Sequence, residues 1–155
     1  MQPTSPIRHL ILACGNTLRG DDGVGPQLAA WASERFQNQS EIRIISCQQW
    51  TPELAEEVAR AEFVLFLDSS LESEPGKIRI ATVSPQPPKS GLATHHLGAS
   101  ELLAFAQQLY GALPRSAILL TIGADSMELK EGLSDAMQAA LPEARAEIEK
   151  IVLAS

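Results

Sequence analysis

The chain has 155 residues, 45% of them hydrophobic and 20% charged, a balance that suits one globular domain over residues 1–155 and excludes a disordered or fibrous protein. A formal net charge of -7 argues against nucleic acid or an anionic membrane surface as partner. Two widely spaced cysteines, Cys14 and Cys47, make neither a zinc knuckle nor a disulfide framework, and no stretch approaches the roughly 18 apolar residues of a membrane span.

Residues 7–14 form a short, nearly continuous apolar run, the pattern of a parallel strand covered on both faces. It ends in Gly15, and a loop with three more glycines and the adjacent carboxylates Asp21 and Asp22, expected to stand at the centre of a site, leads to Pro26, a favoured first helical residue. The helix extends to about Phe36. Residues 41–47 are a second strand and 48–50 a loop. Thr51 and Pro52 suit the N-cap and first position of a helix running to about Arg60. A third buried strand, 63–67, ends on Asp68.

Residues 69–76 are rich in turn formers, and 77–83 alternate charged and apolar residues as an edge strand does. Too little chain precedes that strand for a crossover helix, so an antiparallel placement is expected. The proline-rich stretch 84–94 is a surface loop closed by His95 and His96. A helix over 100–110, a strand over 117–122 and a loop over 123–133 follow. Ser134 is placed to cap a last helix over 135–152, which Pro142 is expected to bend or split. The expected fold is an α/β three-layer sandwich: a mostly parallel, twisted five-stranded sheet, one strand antiparallel, with helices on both faces.

In such a sheet the ends of parallel strands share one edge, where open α/β folds bind their ligands. Asp22 follows strand one, Asp68 ends strand three, and His95 precedes the third helix, so the three can converge; His96 has the same claim as His95, and spacing does not separate them. Two carboxylates and an imidazole suit nickel or zinc with positions left open for substrate. Each also has a plainer reading. Asp21 or Asp22 can cap the first helix, Asp68 can cap a loop, and His95 or His96 can be an exposed loop residue. Arg19 reads as a solvated charge, Cys14 and Cys47 as inert buried thiols, and Trp50 as partly buried against the next helix. Asp125 and Glu128 can rim the site or simply make their loop polar.

The stretch Gly15-Asn16-Thr17-Leu18-Arg19-Gly20-Asp21-Asp22-Gly23-Val24-Gly25 resembles the N-terminal motif of the hydrogenase maturation endopeptidases, a GxGN turn followed by a DDGxG or DExxG segment. The resemblance continues through Phe66-Leu67-Asp68, Thr94-His95-His96-Leu97-Gly98, and Ile122-Gly123-Ala124-Asp125 with Gly132-Leu133-Ser134. It implies an endopeptidase that removes the C-terminal extension of a nickel-iron hydrogenase large-subunit precursor after nickel insertion. Residue by residue, it assigns Asp22, Asp68 and His95 to nickel contact and catalysis. Gly15, Asn16, Gly23 and Gly25 match positions that shape the loop.

The nickel is then carried by the precursor, which is the partner, and the protein is expected to be a cytoplasmic monomer. Ala13 replaces the first glycine of the family turn, so a less tightly turned strand end is expected. The run Gln48-x-x-Thr51-Pro52-Glu53-Leu54 looks more like members paired with bidirectional, NAD-coupled hydrogenases. The rival readings are a metallopeptidase with its own zinc, for which no HExxH is present, and a phosphate-binding α/β module, for which GxGxxG is absent.

Overall fold

The computed structural model describes residues 7–87 and 97–155. Five strands, β1 (Ile7–Cys14), β2 (Ile42–Cys47), β3 (Ala61–Ser70), β4 (Ile78–Thr82) and β5 (Ser116–Gly123), form one sheet in the order β2-β1-β3-β5-β4. The first three and β5 are parallel; β4 is antiparallel to β5 and lies at the edge, as its alternating sequence requires. Four helices cover the faces: α1 (Val24–Arg35), α2 (Ala55–Arg60), α3 (Ala99–Tyr110) and α4 (Asp135–Ala154).

The two-residue period of the strands divides the core in two. Ile11 and Ala13 of β1 and Leu65 and Leu67 of β3 point to one face, where α1 and α4 pack through Leu28, Ala32, Met137 and Ile148. Leu10, Leu12, Val64 and Phe66 point to the other, against α2 and α3 through Val58, Leu102 and Ala106. Every one of these side chains is at most 1% exposed, which explains why both β1 and β3 read as unbroken apolar runs. Among the described residues no helix is long and apolar enough to cross a membrane.

Several boundaries differ from the expectations. Pro26 is the third residue of α1, because a 3-10 turn over Gly20–Gly23 starts the helix two residues earlier. Proline is tolerated there, since first-turn amides lack helical partners. Thr51 does not cap a helix: its hydroxyl donates to Glu53 at 2.6 Å, and a 3-10 turn over Pro52–Leu54 precedes α2. Ser134 does cap α4, its Oγ accepting from the Met137 amide at 3.2 Å. Pro142 neither ends nor splits α4, which runs unbroken over twenty residues. The proline and Gln138, whose carbonyl it leaves without a helical donor, are both exposed, so water can satisfy that oxygen.

Candidate active site

The register of the sheet sets up the site. Cys47 of β2 lies beside Cys14 of β1, and Ala13 pairs with Leu67, which brings Cys14 alongside Asp68. These side chains sit where four parallel strands end, on the face covered by α2 and α3. A cleft of about 550 Å³ opens there, with Asn16, Arg19, Asp22, Asp68, Ser69 and Met127 among its lining residues. Gln48 and Gln49 line it from the loop after β2, and Leu97 and Gly98 from the residues just before α3.

Close packing of the first loop on itself delivers Asp22 to this cleft. Gly15 has φ 150°, and a Cβ there would collide with the Asp22 carbonyl oxygen. Gly25 has the same restriction on its other side: a Cβ would strike the Cys14 carbonyl oxygen, so α1 starts hard against the end of β1. The Asn16 amide then donates to Asp22 Oδ2 at 2.8 Å, while Asn16 Oδ1 accepts from the Leu18 amide at 2.9 Å. Ala13, where the family turn has glycine, belongs to β1 and is fully buried; the sharp turn falls on Gly15.

Asp21 takes no part in the cleft, contrary to the expectation that both adjacent carboxylates stand at its centre. It is 1% exposed and does not cap α1. Its Oδ1 accepts from the Ser134 amide at 2.7 Å, and its Oδ2 accepts from the Asp125 amide and the Ser134 hydroxyl, both at 2.7 Å. Those bonds join the first loop to the start of α4. Three backbone bonds extend the seam: the Gly20 and Asp21 amides donate to Lys130 and Ser126, and the Lys130 amide donates to Leu18. Asp125 and Glu128 therefore border a small crevice behind Asp21, and Met127 alone of their loop lines the cleft.

Asp68 lies inside β3, two residues before its end. Its Oδ1 accepts from the Ser69 amide at 2.8 Å, and the Cys14 thiol lies 3.8 Å away as a second donor. Burial dominates its acidity, pushing the pKa up to about 6, with the negative charge of Asp22 adding to the rise and the Ser69 and Cys14 donors opposing it. Burial also pushes the Cys14 thiol far up, and the charges of Asp68, Asp22 and Cys47 push it further. Cys47 is raised by burial alone. Neither thiol is a thiolate nucleophile at neutral pH.

Of the three residues assigned from sequence, Asp22 and Asp68 meet at the cleft, whereas His95, like its neighbour His96, lies outside the described residues. Among the described residues no group of three or more His, Cys, Asp or Glu side chains is arranged to hold a metal ion. Arg19 is exposed at the cleft margin, as its reading as a solvated charge requires. Trp50 is more deeply buried than expected, 5% exposed with its ring edge-on to Phe66 at 5.2 Å. Sequence reasoning missed Ser69, which is 8% exposed and touches both carboxylates, its hydroxyl donating to Asp22 Oδ1 at 3.0 Å. The available signal was a small hydroxyl residue directly after an aspartate in a buried strand.

Residues 33–151 match the family model described as hydrogenase maturation protease (HycI). Among solved structures, the chain is similar to the hydrogenase 2 maturation peptidase of a Thaumarchaeota archaeon, at 28% identity and a TM-score of 0.68 over 94% of this chain and 97% of that one. It also resembles the NiFe hydrogenase maturation protease HybD of Thermococcus kodakarensis, at 24% identity and a TM-score of 0.71 over 93% and 98% of the two chains. The hydrogenase maturating endopeptidase HybD of E. coli gives 21% identity and a TM-score of 0.71 over 91% and 89%. No curated protein matches the sequence significantly.

Proposed function

We propose, from the premise that the chain belongs to the hydrogenase maturation protease family, that it is the endopeptidase that removes the C-terminal extension of a nickel-iron hydrogenase large-subunit precursor. The observation that carries the reading is the meeting of Asp22 and Asp68, 46 positions apart in sequence, at one cleft on the carboxyl edge of the sheet. A cleft lined by two carboxylates suits recognition of a cation that arrives with further ligands of its own. Nickel already seated in the precursor is such a cation and is part of the substrate. His95 is assigned as the third contact from the resemblance, and Leu97 and Gly98, next in the chain, line the same cleft.

The chain's own residues then orient the scissile peptide and handle a proton. Asp68, with a pKa near 6, is ionised at neutral pH and basic enough to take a proton from an attacking water. Asp22 holds its carboxylate toward the same space through its bonds to Asn16 and Ser69. Gln48 and Gln49, which line the cleft from the loop after β2, are assigned to discriminate between precursors. Their segment is the one that resembles members serving bidirectional, NAD-coupled hydrogenases, so a precursor of that class is the proposed substrate.

The test is the mass of purified large-subunit precursors, nickel-loaded and nickel-free, after incubation with this protein. The expected result is loss of a C-terminal peptide from the nickel-loaded precursor of the NAD-coupled class only. Cleavage irrespective of nickel removes the recognition role of the metal. Equal cleavage of all classes removes the specificity assigned to the loop after β2, and no cleavage of any overturns the reading.

A further inference from the structure

Two carboxylates close enough to repel one another do not hold a defined relation unaided, and one residue, Ser69, donates to both. The Ser69 amide donates to Asp68 Oδ1 at 2.8 Å and its hydroxyl donates to Asp22 Oδ1 at 3.0 Å. With Asn16 on Asp22 Oδ2 and the Cys14 thiol beside Asp68 Oδ1, three of the four carboxylate oxygens have protein donors. The fourth, Asp68 Oδ2, accepts no hydrogen bond from the described residues. Ser69 itself is 8% exposed and pairs with Ile122 of β5, so the donor is carried on a strand of the sheet.

We propose that Ser69 is the positioning residue of this site: it locks Asp22 and Asp68 to one another. The proposal rests on the assignment of those two aspartates to the reaction. A side-chain hydroxyl that aims a reacting carboxylate acts through that carboxylate, and losing such a partner costs roughly 10–100-fold in comparable sites. The physical cause is rotational freedom. Without the hydroxyl, the Asn16 amide is the donor left to Asp22 among the described residues, and Oδ1 is free to turn away from the charge of Asp68.

The test uses nickel-loaded precursor and compares kcat and KM for Ser69→Ala, Ser69→Thr and Ser69→Cys with wild type, alongside thermal midpoints. Ser69→Ala is expected to lower kcat about tenfold or more with KM and the midpoint nearly unchanged. Ser69→Thr, which keeps the hydroxyl, is expected to stay within about threefold of wild type. Ser69→Cys keeps the bulk but weakens the donor, so it gives the same reading if the alanine variant loses its fold; a kcat at least about threefold below wild type is expected. Wild-type kcat in Ser69→Ala or Ser69→Cys, or failure of threonine to restore it, overturns the positioning role. Asp22→Asn and Asp68→Asn run in parallel separate the two layers of argument. If both process precursor at the wild-type rate, the assignment of the aspartates fails. If both are inactive while Ser69→Ala is unimpaired, the inference about Ser69 fails alone.

Discussion

Asp21 and Asp22 are consecutive, identical in chemistry and opposite in use. Asp21 faces the segment that leads to α4, is 1% exposed, and accepts three hydrogen bonds from Asp125 and Ser134. Asp22 faces the cleft, is half-buried, and accepts from Asn16 and Ser69 while leaving lone pairs toward open space. One side of the loop is saturated by donors from a distant segment; the other is held but unfilled. A buried carboxylate holding three protein donors acts as a structural rivet, whereas one that lines a cleft with lone pairs unfilled is open to a ligand.

Exchanging the two roles by mutation gives the largest contrast. Asp21→Ala strands the Ser134 amide, the Ser134 hydroxyl and the Asp125 amide beside a new cavity, and is expected to cost about 3 kcal/mol of stability. In a chain of this size that lowers the thermal midpoint by roughly 6–12 °C, readable by calorimetry. Asp22→Asn is expected to keep the midpoint within about 3 °C and to lower precursor cleavage by at least about 100-fold. If Asp22→Asn unfolds the protein, or Asp21→Ala leaves its stability intact, the division of labour drawn here is wrong.

Asp68 sharpens the comparison through pH. Its folded pKa of about 6 lies above the ordinary value of 3.8, so the native state holds this proton longer than the unfolded state does. Stability contributed by the protonated form is therefore complete below about 3.8 and is lost as pH rises toward about 6. Allowing for partial exposure, the ionised carboxylate is expected to cost about 1–2 kcal/mol at pH 7. Asp68→Asn should recover that amount in urea unfolding at pH 7 and flatten the slope between pH 4 and 6, even as it abolishes cleavage. An unchanged slope would mean that burial does not strain this group.

Cys14 tests the smallest effect. Its thiol is pushed far above neutral pH, and its contact with Asp68 is long for a donor, 3.8 Å. Cys14→Ser, which keeps a donor, is therefore expected to process precursor within about threefold of wild type. A loss of 100-fold or more would instead point to a thiolate acting on the substrate.

Much of this molecule was legible in its residues alone. The apolar runs at 7–14 and 63–67, the glycines around Asp22 and the alternation at 77–83 are local patterns, and local sterics and hydrophobic periodicity turn them into strands, tight loops and an edge. They place Asp22 and Asp68 at the same sheet edge, because parallel strands end together. Other features depend on partners far away in the chain. Insertion of β5 between β3 and β4, the turning of Asp21 onto Ser134 113 positions later, and the Ser69 bridge to Asp22 all depend on bonds between segments that no local window contains. Adjacent aspartates have the same propensities; only the packed neighbours distinguish the donor-saturated one from the one left facing the cleft. Residue chemistry and spacing therefore determined that two carboxylates reach the carboxyl edge of the sheet. The tertiary structure decided which carboxylate occupies it and what holds it still, since a hydrogen bond is specified only by the pair of groups that makes it.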